Sequence, residues 1–203
     1  MARIGILALQ GAFLEHARAF RRLGAETVEV RLPEQLEGLD GVVIPGGEST
    51  TISLLMDSRA LRRPLLEMAK RGVPFWGTCA GMIMLAKGVE DELVRSLGLM
   101  DLKVIRNAFG RQIDSFEADL PVPVLGEPTF RAVFIRAPIV ESVGNGVEVL
   151  ATLADGRIAA ARQGTLLATA FHPELTDDPR FHQLFLEMAG KEQRTGALSS
   201  TRT

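Results

Sequence analysis

Short apolar runs alternate with amphipathic segments through the first half of the chain, and no other feature constrains the fold as strongly. The strand-like runs are residues 4–9, 26–31, 41–44 and 73–78. Residues 13–23 and 51–71 instead carry apolar side chains at helical spacing, and Pro64 is predicted to split the second segment. Because strands that are apolar on both faces need helices on both sides, the alternation predicts an α/β fold, a three-layer sandwich with a mostly parallel central sheet.

The second half of the chain is richer in strands, some of which are expected to be antiparallel. Turn signals of Gly, Pro and Asn separate its β-like runs, which are residues 130–135, 147–153, 158–163 and 165–171. A last amphipathic helix is predicted over residues 179–189. We therefore expect a single domain over residues 1–190, followed by a polar and flexible tail at residues 191–203.

Composition and charge exclude several classes of protein. With 46% hydrophobic and 24% charged residues, the chain has the composition of a globular protein and not of a disordered one. The formal net charge is -2 and no basic run occurs, so no nucleic acid is expected as a partner. The longest uncharged stretch, residues 72–86, is too short to cross a membrane. A single cysteine excludes disulfides within the chain and multi-cysteine zinc patterns, which favours a reducing compartment, the cytoplasm.

That cysteine, Cys79, lies in the sequence G-T-C-A-G at residues 77–81, where a predicted strand meets a helix predicted over residues 82–86. Small neighbours allow the sharp turn that exposes a nucleophile at a strand-to-helix elbow. The start of the helix stabilises a thiolate and offers free backbone N–H groups that can hold an oxyanion. A small buried hydrophobic residue is the alternative interpretation. The position at the carboxyl end of a parallel strand favours a nucleophile.

A nucleophilic cysteine needs a base, and the chain has three histidines. His16 and His182 fall within predicted amphipathic helices, where a solvated or partly packed side chain is expected. His172 instead follows a predicted strand and is two residues from Glu174, a carboxylate that can fix the imidazole tautomer. The order Cys79, His172, Glu174 therefore fits a catalytic triad. A metal site at His172 and Glu174 is disfavoured because no other His or Cys is near in sequence and no HExxH pattern occurs.

Two adjacent glycines, Gly46 and Gly47, follow the third predicted strand. Their backbone can adopt conformations closed to other residues, and their N–H groups can face an oxygen of a ligand. A plain turn in which Ser49 or Thr50 caps the next helix is an equally good interpretation. The chain contains neither a phosphate-loop pattern nor a G-x-G-x-x-G pattern, and no cofactor is expected.

Together, the sequences P-G-G-E-S at residues 45–49, G-T-C-A-G at 77–81 and H-P-E at 172–174 resemble the class I (triad) glutamine amidotransferases. The chain is still more similar to the PdxT/SNO family, the glutaminase subunits of pyridoxal 5'-phosphate synthase, from residue 4 almost to the last helix. The blocks that carry this closer resemblance are residues 9–11, 106–112, 114–117 and 134–138.

The resemblance implies a role for each candidate residue. Cys79 would be the nucleophile, His172 the general base and acid, and Glu174 the residue that orients the histidine. The oxyanion hole would consist of the backbone N–H groups of Gly47 and Ala80, and Gln10 would lie near it. The glutamine pocket would be lined by Gly47, Glu48, Ser49, Arg106, Ile135 and Arg136.

The resemblance also implies a reaction and a partner. L-glutamine would be hydrolysed to L-glutamate and ammonia through a γ-glutamyl thioester, and the ammonia delivered to a PdxS-type (β/α)8 synthase in a hetero-oligomeric complex. Such glutaminases are often switched on by the partner, and we expect this to involve reorganisation of the loop at Gly46 and Gly47.

Three alternatives remain open. The chain could be a glutaminase that serves another synthase, in histidine or purine synthesis, although the block at residues 106–112 disfavours this. It could also be a non-catalytic redox or binding protein on a similar scaffold, which the pairing of His172 with Glu174 disfavours. The third alternative is a cysteine peptidase.

Overall fold

The computed structural model describes residues 1–106 and 115–199, with side chains up to residue 190. The strands of this part of the chain are β1 (Arg3–Leu7), β2 (Glu26–Val30), β3 (Gly41–Ile44), β4 (Phe75–Thr78), β5 (Ala86–Val89), β6 (Met100–Ile105), β7 (Ser115–Leu120), β8 (Phe130–Ile135), β9 (Ile139–Val143), β10 (Glu148–Thr152), β11 (Ile158–Gln163) and β12 (Leu166–Thr169). The helices are α1 (Phe13–Arg22), α2 (Ser49–Ser58), α3 (Arg62–Lys70), α4 (Ala80–Leu85) and α5 (Arg180–Ser199). Short 3-10 helices occupy Pro33–Leu36, Pro123–Leu125 and Pro173–Leu175.

The main sheet is parallel at its centre and antiparallel in its C-terminal half. Strands β2, β1, β3, β4 and β12 lie side by side in that order, and every neighbouring pair is parallel. The sheet continues through β11, β9 and β6 with antiparallel pairing, and β5 joins β6 in parallel at the edge. Strand β10 pairs with β11, and β7 with β8 forms a separate antiparallel sheet. The predicted α/β fold is confirmed.

Helices cover both faces of the central sheet, because alternate residues of a strand point to opposite sides. On one face, the Trp76 ring of β4 lies 5.7 Å from Phe185 of α5 and 6.3 Å from Phe20 of α1. On the other face, a Cβ added at Gly77 would lie 2.3 Å from the carbonyl oxygen of Gly81, so α4 packs directly on the strand there. Strand β4 is therefore fully buried between two helical layers.

The carboxyl ends of four adjacent parallel strands meet at one edge of the sheet, where binding sites of such folds occur. Gln10 follows β1, Gly46 and Gly47 follow β3, Cys79 follows β4, and His172 follows β12. These residues are far apart in sequence, and the strand order brings them together.

The segment predicted as a helix interrupted by Pro64 is two helices, but the break precedes the proline. Helix α2 ends at Ser58 and α3 begins at Arg62, with Ala60 between them at a φ of 55°. Pro64 lies in the first turn of α3, where a backbone N–H has no acceptor within the helix. The proline therefore helps to start the second helix and does not interrupt the first.

Two further differences concern the ends of elements. Helix α5, predicted to end at residue 189, continues to Ser199. Strands β5, β6, β7 and β9 were not predicted. A single domain over residues 1–190 and flexibility of residues 191–203 stay predictions.

Candidate active site

Cys79 forms a strained elbow between β4 and α4. Its backbone has a φ of 49° and a ψ of -109°, a conformation that residues other than glycine rarely adopt. The two flanking glycines make the turn possible, because a Cβ at Gly81 would lie 1.8 Å from the carbonyl oxygen of Ile44 and one at Gly77 would clash with Gly81. The G-x-C-x-G pattern is therefore required by close backbone packing. Cys79 itself is 6% exposed at the bottom of the site.

The structure brings Cys79, His172 and Glu174 into one row. The Nδ1 atom of His172 lies 2.7 Å from Oε1 of Glu174, and the same imidazole lies beside Cys79 in the cleft, where both contact the position of a Cβ added at Gly46. The Sγ atom of Cys79 is also 3.7 Å from the carbonyl oxygen of Ile135. All three members of the row are buried, so water competes little with their mutual contacts.

Charge is favoured on both His172 and Glu174. Burial lowers the pKa of His172, but the hydrogen bonds and charges of Cys79 and Glu174 outweigh it and raise that pKa to about 10. Burial raises the pKa of Glu174, yet His16 and His172 together hold it well below its usual range. An imidazolium beside the sulfur stabilises the thiolate, which is the nucleophilic form of cysteine.

An open cleft of about 300 Å³ lies in front of the row. Every residue that the family resemblance assigns to the substrate pocket or to the oxyanion hole lines it, together with two members of the row: Gln10, Gly47, Glu48, Ser49, Cys79, Ala80, Arg106, Ile135, Arg136 and His172. Glu174 does not line the cleft, because it lies behind the imidazole of His172.

The double-glycine loop is held against the cysteine by polar contacts. The N–H of Gly46 donates to Oγ1 of Thr78 at 3.0 Å, and the N–H of Glu48 donates to Oε1 of Gln10 at 2.6 Å. A Cβ at Gly47 would lie 2.3 Å from that same Gln10 oxygen. Ala80 is the first residue of α4, so its N–H has no acceptor within the helix. Both candidate oxyanion donors therefore line the cleft beside Cys79.

The cleft is also lined by an ion pair between a guanidinium and a carboxylate. Arg106 pairs with Glu48, with 2.6 Å between Nη2 and Oε1, and with Asp91, and it donates to Oγ1 of Thr50 at 3.1 Å. Its side chain is only 16% exposed. An α-amino acid carries one positive and one negative group, so a paired cation and carboxylate suit its recognition. Asp91 was missed because no motif marks it.

Two histidines differ from their prediction. His16 and His182 were expected to be solvated or partly packed, but both are fully buried, at 0% and 1% exposure. The reason is that α1 and α5 pack on the same sheet face and close on each other, with the two imidazole rings 5.2 Å apart. A signal was available, because His16 is four residues from Phe20 and therefore lies on the apolar stripe of α1.

The block at residues 106–112 that supports the closer family resemblance is only partly visible. Arg106 is described, whereas residues 107–114 lie outside the described residues.

The sequence itself provides the remaining evidence. Residues 6–191 match the SNO glutamine amidotransferase family. The chain belongs to this family. Among its relatives, the pyridoxal 5'-phosphate synthase subunit PdxT of Herpetosiphon aurantiacus is 60% identical over 186 residues, which cover 90% of this chain and 98% of the relative. The PdxT subunit of Dehalococcoides mccartyi is 57% identical, covering 92% of this chain and 97% of the relative.

A solved structure agrees with the fold of this SNO family member. A crystal structure of a glutamine amidotransferase superimposes with a TM-score of 0.86 at 50% identity, covering 92% of this chain and 98% of that one. The resemblance inferred from the motifs is thereby confirmed. Within residues 1–106 and 115–199, no helix is long and apolar enough to span a bilayer. The same residues contain no group of three or more His, Cys, Asp or Glu side chains arranged to hold a metal ion.

The requirement for glycine at position 46 can be tested directly. A Cβ there would lie 2.4 Å from Cε1 of His172 and 3.2 Å from Cβ of Cys79, so the imidazole must move. We expect Gly46→Ala to lower glutaminase activity by about 100-fold, the typical effect of misplacing a reacting group by about 1 Å. Gly190→Ala is the matched control, since nothing lies within 4 Å of its added Cβ. Equal ammonia release by the two variants would contradict the packing described here.

Proposed function

We propose that this chain hydrolyses L-glutamine to L-glutamate and ammonia with Cys79 as nucleophile, His172 as general acid and base, and Glu174 as the residue that orients His172. The observation that carries the proposal is the buried row of these three residues. Cys79, at the strained elbow, and His172 line the charged cleft, and Glu174 lies behind His172. Ammonia release from L-glutamine, measured beside a panel of peptides, tests it. Ammonia from glutamine alone is the expected result, and cleavage of peptides instead would indicate a peptidase.

The first half of the reaction forms a thioester. The Cys79 thiolate attacks the side-chain carbonyl carbon of glutamine, and the N–H groups of Gly47 and Ala80 stabilise the oxyanion. The His172 imidazolium then donates its proton to the departing nitrogen, so that ammonia leaves and a γ-glutamyl thioester remains.

The second half regenerates the enzyme. Neutral His172 accepts a proton from water, and the resulting hydroxide attacks the thioester carbon. The carbon–sulfur bond breaks, glutamate leaves, and the thiolate is again paired with an imidazolium. Glu174 stays ionised throughout and holds Nδ1 of His172, so that the opposite nitrogen faces the reacting atoms.

The charged side of the cleft supplies recognition of the amino acid. Arg106 suits the α-carboxylate and Glu48 the α-ammonium group, while Ser49, Ile135 and Arg136 line the same cleft. The ion pair between Arg106 and Glu48 would then separate when the substrate binds. One contact between the two side chains would be replaced by two contacts with the substrate.

A synthase partner completes the proposed function. Ammonia released into water becomes protonated and loses its nucleophilicity, so transfer within a complex preserves its reactivity. The relatives are named as subunits of pyridoxal 5'-phosphate synthase, which supports a PdxS-type synthase in a hetero-oligomeric complex. The free cysteine supports a cytoplasmic location.

The partner is also proposed to activate the glutaminase. The carbonyl oxygen of Gly46 accepts a hydrogen bond of 3.3 Å from the N–H of Ala12, so the orientation of the loop is tied to the start of α1. Docking of a synthase that moves this loop would re-aim the N–H of Gly47. We expect a higher rate of glutamine hydrolysis with the synthase than without it, and equal rates would contradict this activation.

The pH profile tests the role of Glu174. Its hydrogen bond and charge help to raise the pKa of His172 to about 10, and the thiolate–imidazolium state is lost when that proton leaves. Glu174→Gln removes the negative charge, so the proton leaves at lower pH. We expect the alkaline limb of the kcat/KM profile to shift to lower pH by about one unit or more. An unchanged limb would show that Glu174 does not tune the imidazole.

A further inference from the structure

A second pair of histidines lies directly behind the triad. Glu174 uses Oε1 to hold His172, while its other oxygen, Oε2, is buried and lies 3.3 Å from Nε2 of His16. This contact has the distance of an ion pair without the alignment of a good hydrogen bond, and Oε2 accepts no hydrogen bond within the described part of the chain. His16 takes no part in the proposed bond-forming and proton-transfer steps.

The remaining contacts of His16 extend the row further. Its Nδ1 atom lies 3.0 Å from Nε2 of His182, and its Nε2 atom is also 3.2 Å from Oγ1 of Thr78. Thr78 accepts the N–H of Gly46 through that same oxygen. His16 is therefore linked both to the carboxylate of the triad and to the loop beside the nucleophile.

The burial of His182 decides where the protons of this pair lie. Desolvation by burial lowers the pKa of His182 to about 3, so His182 is neutral. Its Nδ1 atom is buried without a partner. Buried N–H groups without an acceptor are rarer in proteins than buried acceptors without a donor. The His182 proton is therefore on Nε2, where it donates to Nδ1 of His16.

The same reasoning fixes the tautomer of His16. Because Nδ1 of His16 accepts from His182, a proton on His16 lies on Nε2. That nitrogen lies 3.3 Å from Oε2 of Glu174 and 3.2 Å from Oγ1 of Thr78. The titratable groups that face His16 in the described part of the chain are Glu174, on the Pro173–Leu175 helix, and His182, on α5.

Aromatic side chains isolate the pair from water. The ring of Trp76 lies 5.3 Å from His16 and 4.9 Å from His182, and Phe20 lies 4.8 Å from His182. Water cannot replace a lost contact in such a site, so removal of His16 deprives the buried Oε2 of Glu174 of its ion-pair contact.

We propose that His16 is a positioning residue of the triad: it holds Oε2 of Glu174 so that Oε1 stays directed at His172, and His182 keeps the proton of His16 on the side of Glu174. This inference rests on the proposed glutaminase function. It assigns a purpose to two buried histidines that touch neither the cleft nor the reacting atoms.

The test compares His16→Leu with His16→Gln in the complete chain with its synthase partner. Leucine fills the site without a donor, whereas the amide nitrogen of glutamine can reach the position of Nε2. For His16→Leu we expect a fall in kcat of about 10- to 100-fold, with KM nearly unchanged, by analogy with the loss of the carboxylate or carbonyl partners that orient metal-bound histidines. The acid limb of kcat/KM moves to higher pH, because Glu174 without His16 is protonated more easily. His16→Gln recovers most of the rate.

A control separates positioning from loss of stability. Phe185→Leu removes packing on the same sheet face, where Phe185 contacts Phe20 and Trp76, without touching the polar row. It is expected to lower Tm and to leave both limbs of the pH profile in place. If His16→Leu changes the profile no more than Phe185→Leu does, His16 only packs and the inference is overturned.

His182→Leu provides an independent decision should His16→Leu fail to fold. It removes the donor to Nδ1 of His16, and we expect a smaller upward move of the same acid limb. An unchanged limb overturns the inference. The proposed function fails in a different way: if the parent chain with its synthase releases no ammonia from glutamine, the chemistry itself is wrong.

Discussion

Cys79→Ala is expected to abolish glutamine hydrolysis, with a loss of at least about 10⁴-fold in kcat, as when the nucleophile of a triad is removed. The sulfur is the only atom of the row that can form the thioester, and no other cysteine exists in the chain. The remaining donors and charges of the cleft do not replace a nucleophile.

The loss should be chemical and not structural. The side chain of Cys79 is small and 6% exposed. The elbow imposes a φ of 49° on this position, and adopting that angle costs alanine about as much as it costs cysteine. We therefore expect Tm to fall by no more than a few degrees, and binding of the synthase to persist. Ammonia release by Cys79→Ala at the parent rate would remove the basis for the assignment of the nucleophile.

His172→Ala and Glu174→Ala should both inactivate the enzyme, but to different degrees. His172→Ala removes the proposed general acid and base, so its loss of activity should approach that of Cys79→Ala. Glu174→Ala leaves that chemistry in place and removes only the partner that lies 2.7 Å from Nδ1 of His172. We expect its activity to be about 10- to 100-fold higher than that of His172→Ala.

A matched charge deletion completes this comparison. Asp177 is fully exposed, and within the described residues its one ion pair, with Arg22, is long at 3.8 Å. Asp177→Ala removes a carboxylate from the same loop region and should keep the parent rate. If Glu174→Ala proved as active as Asp177→Ala, the carboxylate behind the imidazole would have no role in catalysis.

The central sheet was predictable because its strands are buried on both faces and leave continuous apolar runs. Strand β3, for example, is buried at every position. Strand β7 was missed for the opposite reason: its exposed face carries Glu117 and Asp119, which pair with Arg131 on β8. A strand stabilised by cross-strand charge pairs has a weak apolar signal.

The site was predictable where local geometry dictates residue type. Gly77 and Gly81 flank Cys79 because the backbone packs too closely for any side chain, and that requirement is visible in sequence. The roles of His16, His182 and Asp91 depend on which elements meet in space. Helices α1 and α5 are more than 150 residues apart in sequence, as the His16 to His182 separation of 166 shows, and no local pattern reports their contact.

Covalent labelling of Cys79 tests the central claim most directly. A diazo-ketone analogue of glutamine, incubated with the chain assembled with its synthase, should lose nitrogen and form one carbon–sulfur bond with the nucleophile. Mass spectrometry is expected to find a single adduct, on the peptide that contains Cys79, and excess L-glutamine should prevent it. An unlabelled Cys79 in the assembled complex, or an adduct at another residue, would contradict the account.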